Sequence, residues 1–173
     1  DDLGVAIDFA RRRNGVQRVN LVGWSWGTAI AAGYTAAHNE KVRRLALVSP
    51  LWTFEAVQPV RFDGAWRSVD RATARQRGLA GIPPDRVQEI SPQAWFDQWW
   101  NANLATDPVG AAQHPPVLRA PNGVLQDLAQ FWTRGQPTWD PAAIRVPVLL
   151  LVGAWDRETP PVMARQILPL LVN

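Results

Sequence analysis

Ser25 stands in the stretch NLVGWSWGTAI, residues 20–30, flanked by Trp24 and Trp26 and, one step further out, by Gly23 and Gly27. A serine hydroxyl becomes a useful nucleophile when it is held clear of the backbone and a base takes its proton. The pattern G-x-S-x-G achieves the first of these when a strand runs into it and a helix runs out, because the sharp turn strains the backbone and exposes Oγ. The pattern alone is weak, and its flanks decide. VQRVNLVG, residues 16–23, reads as a short strand, and WGTAIAAGYTAAHN as an alanine-rich helix able to lie close on a sheet. Side chains at positions 23 and 27 would collide across so tight a turn, which is the reason for glycine at both. The new helix points its first amides at the serine and favours negative charge there. The amide of Trp26 is then one of two oxyanion-hole donors, and its indole borders the pocket. Trp24 reads as packing at the strand end.

The elements that must hold this turn can be followed along the chain. DDLGVAIDFARRRNG opens with acidic residues, repeats Leu3, Ala6, Ile7 and Ala10 at helical spacing, and closes on Asn14-Gly15. RRLALVSP, residues 43–50, is a second strand stopped by Pro50. Residues 51–140 differ: prolines and polar residues break up shorter amphipathic pieces, and they hold Trp52, Trp66, Trp95, Trp99, Trp100, Trp132 and Trp139. Within them Ser91-Pro92 reads as a cap and first helical residue before AWFDQWWNANLA, and Val124 to Arg134 as a helix stopped by Gly135. Asp140-Pro141 gives another start signal, followed by the strand VPVLLLVG. Thr159-Pro160 repeats the signal before PVMARQILPLL, which kinks at Pro169. Strands alternating with helices imply a parallel sheet, and the unbroken apolar run Val148 to Val152 suits a strand covered on both faces. The domain reading is a core in 1–50, a helical lid in 51–140 and the rest of the core in 141–173.

Composition narrows the function classes. With 173 residues, 47% apolar and 19% charged, the chain is long enough to bury a real core and is not disordered. Net charge is +3, and Lys41 is the only lysine. The basic run Arg11-Arg12-Arg13 suits a helix C-terminus, and no binding motif accompanies it, so nucleic acid is not expected as a partner. No apolar run is long enough to span a bilayer as a helix, so no membrane partner is expected either. The absence of cysteine excludes disulfides and thiol catalysis and fits a reducing, cytoplasmic setting. Two separated histidines, His38 and His114, give no metal site, and no cofactor is implied.

With a strand, G-W-S-W-G and a small-residue helix in that order, the chain resembles the α/β-hydrolase superfamily from its first helix to its last. The resemblance implies an α/β fold: a partial hydrolase fold with a parallel sheet of about three strands, flanking helices and a helical lid insertion. It also implies the chain order nucleophile, acid, histidine, with the acid on the turn after a later strand. LLLVGAWDRETPP supplies that turn, which makes Asp156 the matching acid. Asp156 would orient the histidine and stabilise its charge as Ser25 attacks. Glu158 is read instead as a charge in a helix's first turn and Asp140 as a helix cap.

The base is missing from this pattern. Both histidines precede Asp156; His38 lies on the helix that leaves Ser25, about 20 Å along it, and His114 sits in the lid. The family's histidine would follow one more strand, and its second oxyanion donor an earlier one. The chain is therefore expected to be an internal fragment of a longer hydrolase, inactive by itself, with bare sheet edges and a bare apolar face that favour aggregation.

The expected reaction is hydrolysis of a small or medium apolar ester through an acyl-enzyme on Ser25. A proline iminopeptidase-like peptidase, a carbon–carbon bond hydrolase, a lactonase or a perhydrolase would use the same triad. A tryptophan after the nucleophile also resembles haloalkane dehalogenases and epoxide hydrolases, which place aspartate where this chain has Ser25. Trp95 and Trp99, four apart, share a helix face and either line an acyl pocket or pack the lid. A non-catalytic binding protein on the same fold is the reading from another class.

Overall fold

Short apolar runs separated by helix start and stop signals set the architecture. In the computed structural model the residues described are 2–54 and 60–172. In chain order they form α1 (Asp2–Asn14), β1 (Val19–Trp24), α2 (Trp26–Ala37) and β2 (Val42–Val48). Next come β3 (Trp66–Asp70), α3 (Arg71–Leu79), α4 (Val87–Ile90), α5 (Gln93–Ala105), α6 (Pro108–Ala111), β4 (Val117–Pro121) and α7 (Gly123–Gln130). The last elements are β5 (Val148–Leu151) and α8 (Pro161–Ile167). Two compact units divide the chain: Asp1–Val57 with Gln130–Asn173, and Gln58–Ala129.

The first unit holds a three-stranded parallel sheet in the order β1-β2-β5. Trp24 pairs with Val48, and Val48 with Leu151, so the three strands end level at one edge. Helix α1 stops as its sequence requires: Gly15 takes φ 62°, the Val16 amide donates to Arg11 O at 3.1 Å, and the Gly15 amide to Arg12 O. Lys41 donates to Asp8 Oδ2 at 3.0 Å and fastens α1 to the start of β2; this bond holds the Lys41 ammonium above its usual pKa. Alanines 29, 31 and 32 of α2 are buried, and such small side chains let the helix approach the sheet closely. Leu45 and Leu47 of β2 are buried at the centre, with Ile144 and Ile167 also fully buried in the core. Burying each such side chain stabilises the fold by about 1.5–3 kcal/mol.

The opposite sheet face is open. Val22 is 66% exposed, Trp24 72%, Leu149 53% and Leu151 46%. The unbroken apolar run of β5 therefore alternates in burial, and its two faces are not equally covered. Trp24 is not packed at the strand end but stands on this exposed face. Strands β1 and β5 are also shorter than the apolar runs around them suggest, because Val16 and Gln17 lie in the turn after α1 and the residues beyond Leu151 enter the acid turn.

The second unit contains more than helices. Strands β3 and β4 pair antiparallel, Trp66 opposite Pro121 and Asp70 opposite Val117. Asp70 caps α3, accepting from the Thr73 amide at 2.8 Å and the Thr73 hydroxyl at 2.7 Å. Asp107 caps α6 through the Gly110 amide and takes both the amide and the guanidinium of Arg119, with Nε at 2.8 Å and Nη2 at 2.6 Å. The Arg119 guanidinium, aided by these amides, holds the Asp107 carboxyl far below the usual carboxylate range. Arg119 also lies 4.3 Å over the Trp66 ring. On α5, Phe96 and Trp100 are buried while Trp95 and Trp99 are exposed. The cap read at Ser91 does not form: α5 begins after Pro92, and Ser91 instead accepts a hydrogen bond from Arg75 at 2.9 Å. The helix read over Val124–Arg134 divides into α7 and a 3-10 turn, Trp132–Arg134, which Gly135 ends at φ 70°. Among the described residues no helix is long and apolar enough to cross a membrane.

Candidate active site

Ser25 occupies the single residue between β1 and α2, with φ 52° and ψ −123°. A β-carbon at positive φ is disfavoured, so its neighbours must hold it there. Its amide donates to Val48 O at 2.9 Å, continuing the β1–β2 ladder one residue past the strand. Its carbonyl accepts from the Thr28 amide at 2.9 Å and the Thr28 hydroxyl at 2.5 Å. The same hydroxyl accepts from the Leu51 amide at 3.0 Å. Fully buried Thr28 thus joins the serine turn to the segment leaving β2. No motif marked Thr28 in advance; a hydroxyl three residues after a turn serine, inside an otherwise apolar helix start, is the signal that was present.

The two glycines beside Ser25 are not equivalent. A β-carbon at Gly23 would lie 2.6 Å from Gly27 O and 2.8 Å from Thr28 Cα, so the close approach of strand and helix excludes any side chain. At Gly27 nothing lies within 4 Å of such a carbon, and the expected collision does not occur. The turn is crowded only on its strand side. Trp26 opens α2, a twelve-residue helix whose N-terminal dipole lies at the serine turn.

Asp156 lies on the turn after β5 and is half-buried. Its Oδ1 accepts from the Glu158 and Thr159 amides, each at 2.9 Å, and its Oδ2 from the Thr159 hydroxyl at 2.8 Å. Ser49, the residue after β2, adds to the polar surroundings that lower the carboxylate's pKa. Burial alone would raise the Asp156 pKa; the Thr159 donors, Ser49 and the Glu158 amide outweigh it and hold the group ionised below the usual carboxylate range. Thr159 is therefore not the helix cap its sequence suggested. Helix α8 starts at Pro161 after Pro160, without a side-chain cap, and the buried Thr159 hydroxyl serves Asp156 instead. Glu158 precedes that helix rather than lying in its first turn. Asp140 does cap its 3-10 turn, through the Ala142 amide at 2.9 Å.

The histidines lie where a surface role places them. His38 ends α2, twelve residues from Ser25's end of the helix, with Nδ1 3.6 Å from Glu40 and its ring 4.6 Å from Tyr34. His114 is exposed in the second unit, as are Trp95 (62%) and Trp99 (48%).

A family model described as alpha/beta hydrolase fold matches residues 1–167. Among solved structures, the chain is similar to MGS-M2, an alpha/beta hydrolase enzyme from a Medee basin deep-sea metagenome library, at 14% identity and TM-score 0.51. That match covers 97% of this chain and 58% of the other. It is similar to an alpha/beta fold family hydrolase from Bacillus anthracis str. Sterne at 14% identity and TM-score 0.50, covering 97% of this chain and 61% of that one. A comparison with curated proteins finds no match. The chain spans about three fifths of these two structures, and at such identities they show the fold alone.

Proposed function

We propose, for a chain that belongs to the alpha/beta hydrolase fold family, that Ser25 is the nucleophile of a serine hydrolase acting on small or medium apolar carboxylic esters. The family supports a hydrolase in general. The observation that carries the finer reading is Ser25 itself, a non-glycine residue held at φ 52° between β1 and α2 by Val48 and Thr28. Strain that neighbours over-determine in this way points to a functional role for the side chain.

In this reading the Ser25 hydroxyl attacks the ester carbonyl and passes its proton to a base. The oxyanion that forms is stabilised by the Trp26 amide and the positive end of α2. Collapse expels the alcohol and leaves an acyl-enzyme, which water hydrolyses. Asp156, kept ionised, orients the base and stabilises its cation. His38, at the far end of α2 from Ser25 and beside Glu40 and Tyr34, does not take the role of base. The second unit, which falls between β2 and β5 in the chain, is the cap in this reading.

The test is labelling of the full-length protein by a fluorophosphonate, followed by mass spectrometry of the modified peptide. Labelling at Ser25, lost in Ser25→Ala and slowed in Asp156→Asn, is the expected result. Absence of both labelling and p-nitrophenyl ester hydrolysis would refute the reading.

A further inference from the structure

We infer that Thr28 is a positioning residue for the oxyanion hole: its buried hydroxyl, oriented by the Leu51 amide, pins the Ser25–Trp26 peptide from its carbonyl side. This role rests on the serine-hydrolase reading above, in which the amide of that same peptide receives the oxyanion. Ser25 O and Trp26 N–H belong to one planar trans unit and point in opposite directions, so whatever fixes the carbonyl also aims the amide. The unit needs fixing. At positive φ a residue with a side chain favours ψ of about +30 to +60°. Ser25 holds ψ −123° at φ 52°. Its own amide is anchored on Val48 O at 2.9 Å, which holds one side of the residue and leaves rotation about ψ open. Thr28 closes that freedom with two donors on Ser25 O, its amide at 2.9 Å and its hydroxyl at 2.5 Å.

Helical threonines often return their hydroxyl to a carbonyl three or four residues back, as Thr35 does further along α2, on Ala31 O at 2.7 Å. Two features give the bond made by Thr28 another meaning. The carbonyl it holds is the nucleophile's own, and Thr28 Oγ1 accepts in turn from the Leu51 amide at 3.0 Å. An amide N–H only donates and a carbonyl only accepts, so the hydroxyl proton is committed to Ser25 O. The groups form a chain, from Leu51 N–H to the Thr28 hydroxyl to Ser25 C=O, and through the peptide to Trp26 N–H. Each bond in such a chain polarises the next, so the Trp26 amide becomes a stronger donor as well as a better aimed one. Thr28 is fully buried and Leu51 is buried, which keeps water from competing for these bonds.

The full-length protein supplies the test. Fluorophosphonate labelling of Ser25 comes first, since its failure would refute the hydrolase reading itself. Given that labelling, Thr28→Val keeps the shape, removes the hydroxyl and should lower kcat for a p-nitrophenyl ester about tenfold, the scale of one lost hydrogen bond. KM should not change, because the oxyanion exists only in the transition state and the tetrahedral intermediate. A trifluoromethyl ketone, whose adduct with Ser25 carries that oxyanion, should bind about tenfold more weakly. Thr28→Ser retains a hydroxyl and should match the unmodified protein in both respects. If Thr28 serves packing alone, Thr28→Ser, which loses the methyl group, falls together with Thr28→Val. That outcome, or an unchanged kcat in Thr28→Val, overturns the inference. NMR of the unmodified protein gives a second reading that does not depend on how Thr28→Val folds. The Thr28 hydroxyl proton should exchange slowly and shift, together with the Trp26 amide nitrogen, when the ketone adduct forms. A hydroxyl proton that exchanges rapidly, or does not shift in the adduct, overturns the inference as well.

Discussion

Gly23 and Gly27 flank the same serine, yet steric demand falls on one of them. A methyl group at 23 would press on Gly27 O and Thr28 Cα, backbone atoms that cannot move aside. Gly23→Ala should therefore lower stability in urea titration by about 1–3 kcal/mol, as overpacking does. Gly27→Ala meets open space inside a helix and should leave stability unchanged or raise it by up to about 1 kcal/mol. Thr159 gives a residue-scale prediction with a pH signature. Thr159→Val removes a buried donor to an ionised carboxylate and should cost about 1.5–3 kcal/mol near neutral pH. Because the folded Asp156 pKa is depressed, its stabilisation is full above the unfolded Asp pKa of about 3.9 and is lost as pH falls through the folded value. The difference between variant and parent, read from unfolding curves, should shrink below about pH 4.

Helix α2 and the segment after β2 meet through one hydroxyl. Thr28→Val keeps the shape but strands the buried Leu51 amide and frees the Ser25 carbonyl, and should cost about 1–3 kcal/mol. In the second unit Asp107 joins α6 to β4 through Arg119, and Gly110 has no room for a side chain, a β-carbon there lying 2.2 Å from Val117 O. The depressed Asp107 pKa means that this junction contributes above about pH 4 and weakens as acid protonates it. Thermal unfolding should show a Tm that falls with acid, and less steeply in Asp107→Asn. These elements were unequally legible in the sequence. Strands β1, β2 and β5 announce themselves as apolar runs between helix signals, and the serine turn is legible from its flanks. Strands β3 and β4 do not: WRSVD holds only two apolar residues in five positions and does not alternate strictly, and VLRAP ends in proline. Thr159 was misread because threonine before proline signals a helix start equally well, and only the folded turn shows its hydroxyl on Asp156. The positive φ of Ser49, 52°, has no signal in the sequence either, and the partner of its amide, Leu151 O, lies more than one hundred residues later.

At the scale of the whole chain, the exposed sheet face governs behaviour in solution. Val22 and Trp24 on β1 and Leu149 and Leu151 on β5, the two strands that flank β2, place four large apolar side chains on one exposed face, an arrangement that favours association. Light scattering of a preparation of residues 1–173 should show concentration-dependent association. Leu149→Lys with Leu151→Lys should shift it towards monomer, since both positions are already exposed. The bond between Lys41 and Asp8 has a consequence of a different kind, for chemical labelling. The sequence holds one lysine and hence one ε-amine, and acylating reagents need that amine neutral. With its pKa raised by Asp8, Lys41 stays protonated and sluggish towards such reagents near neutral pH. Asp8→Asn would make it a faster, uniquely placed handle for a dye or a surface, at the foot of β2 rather than at the rim that carries Ser25.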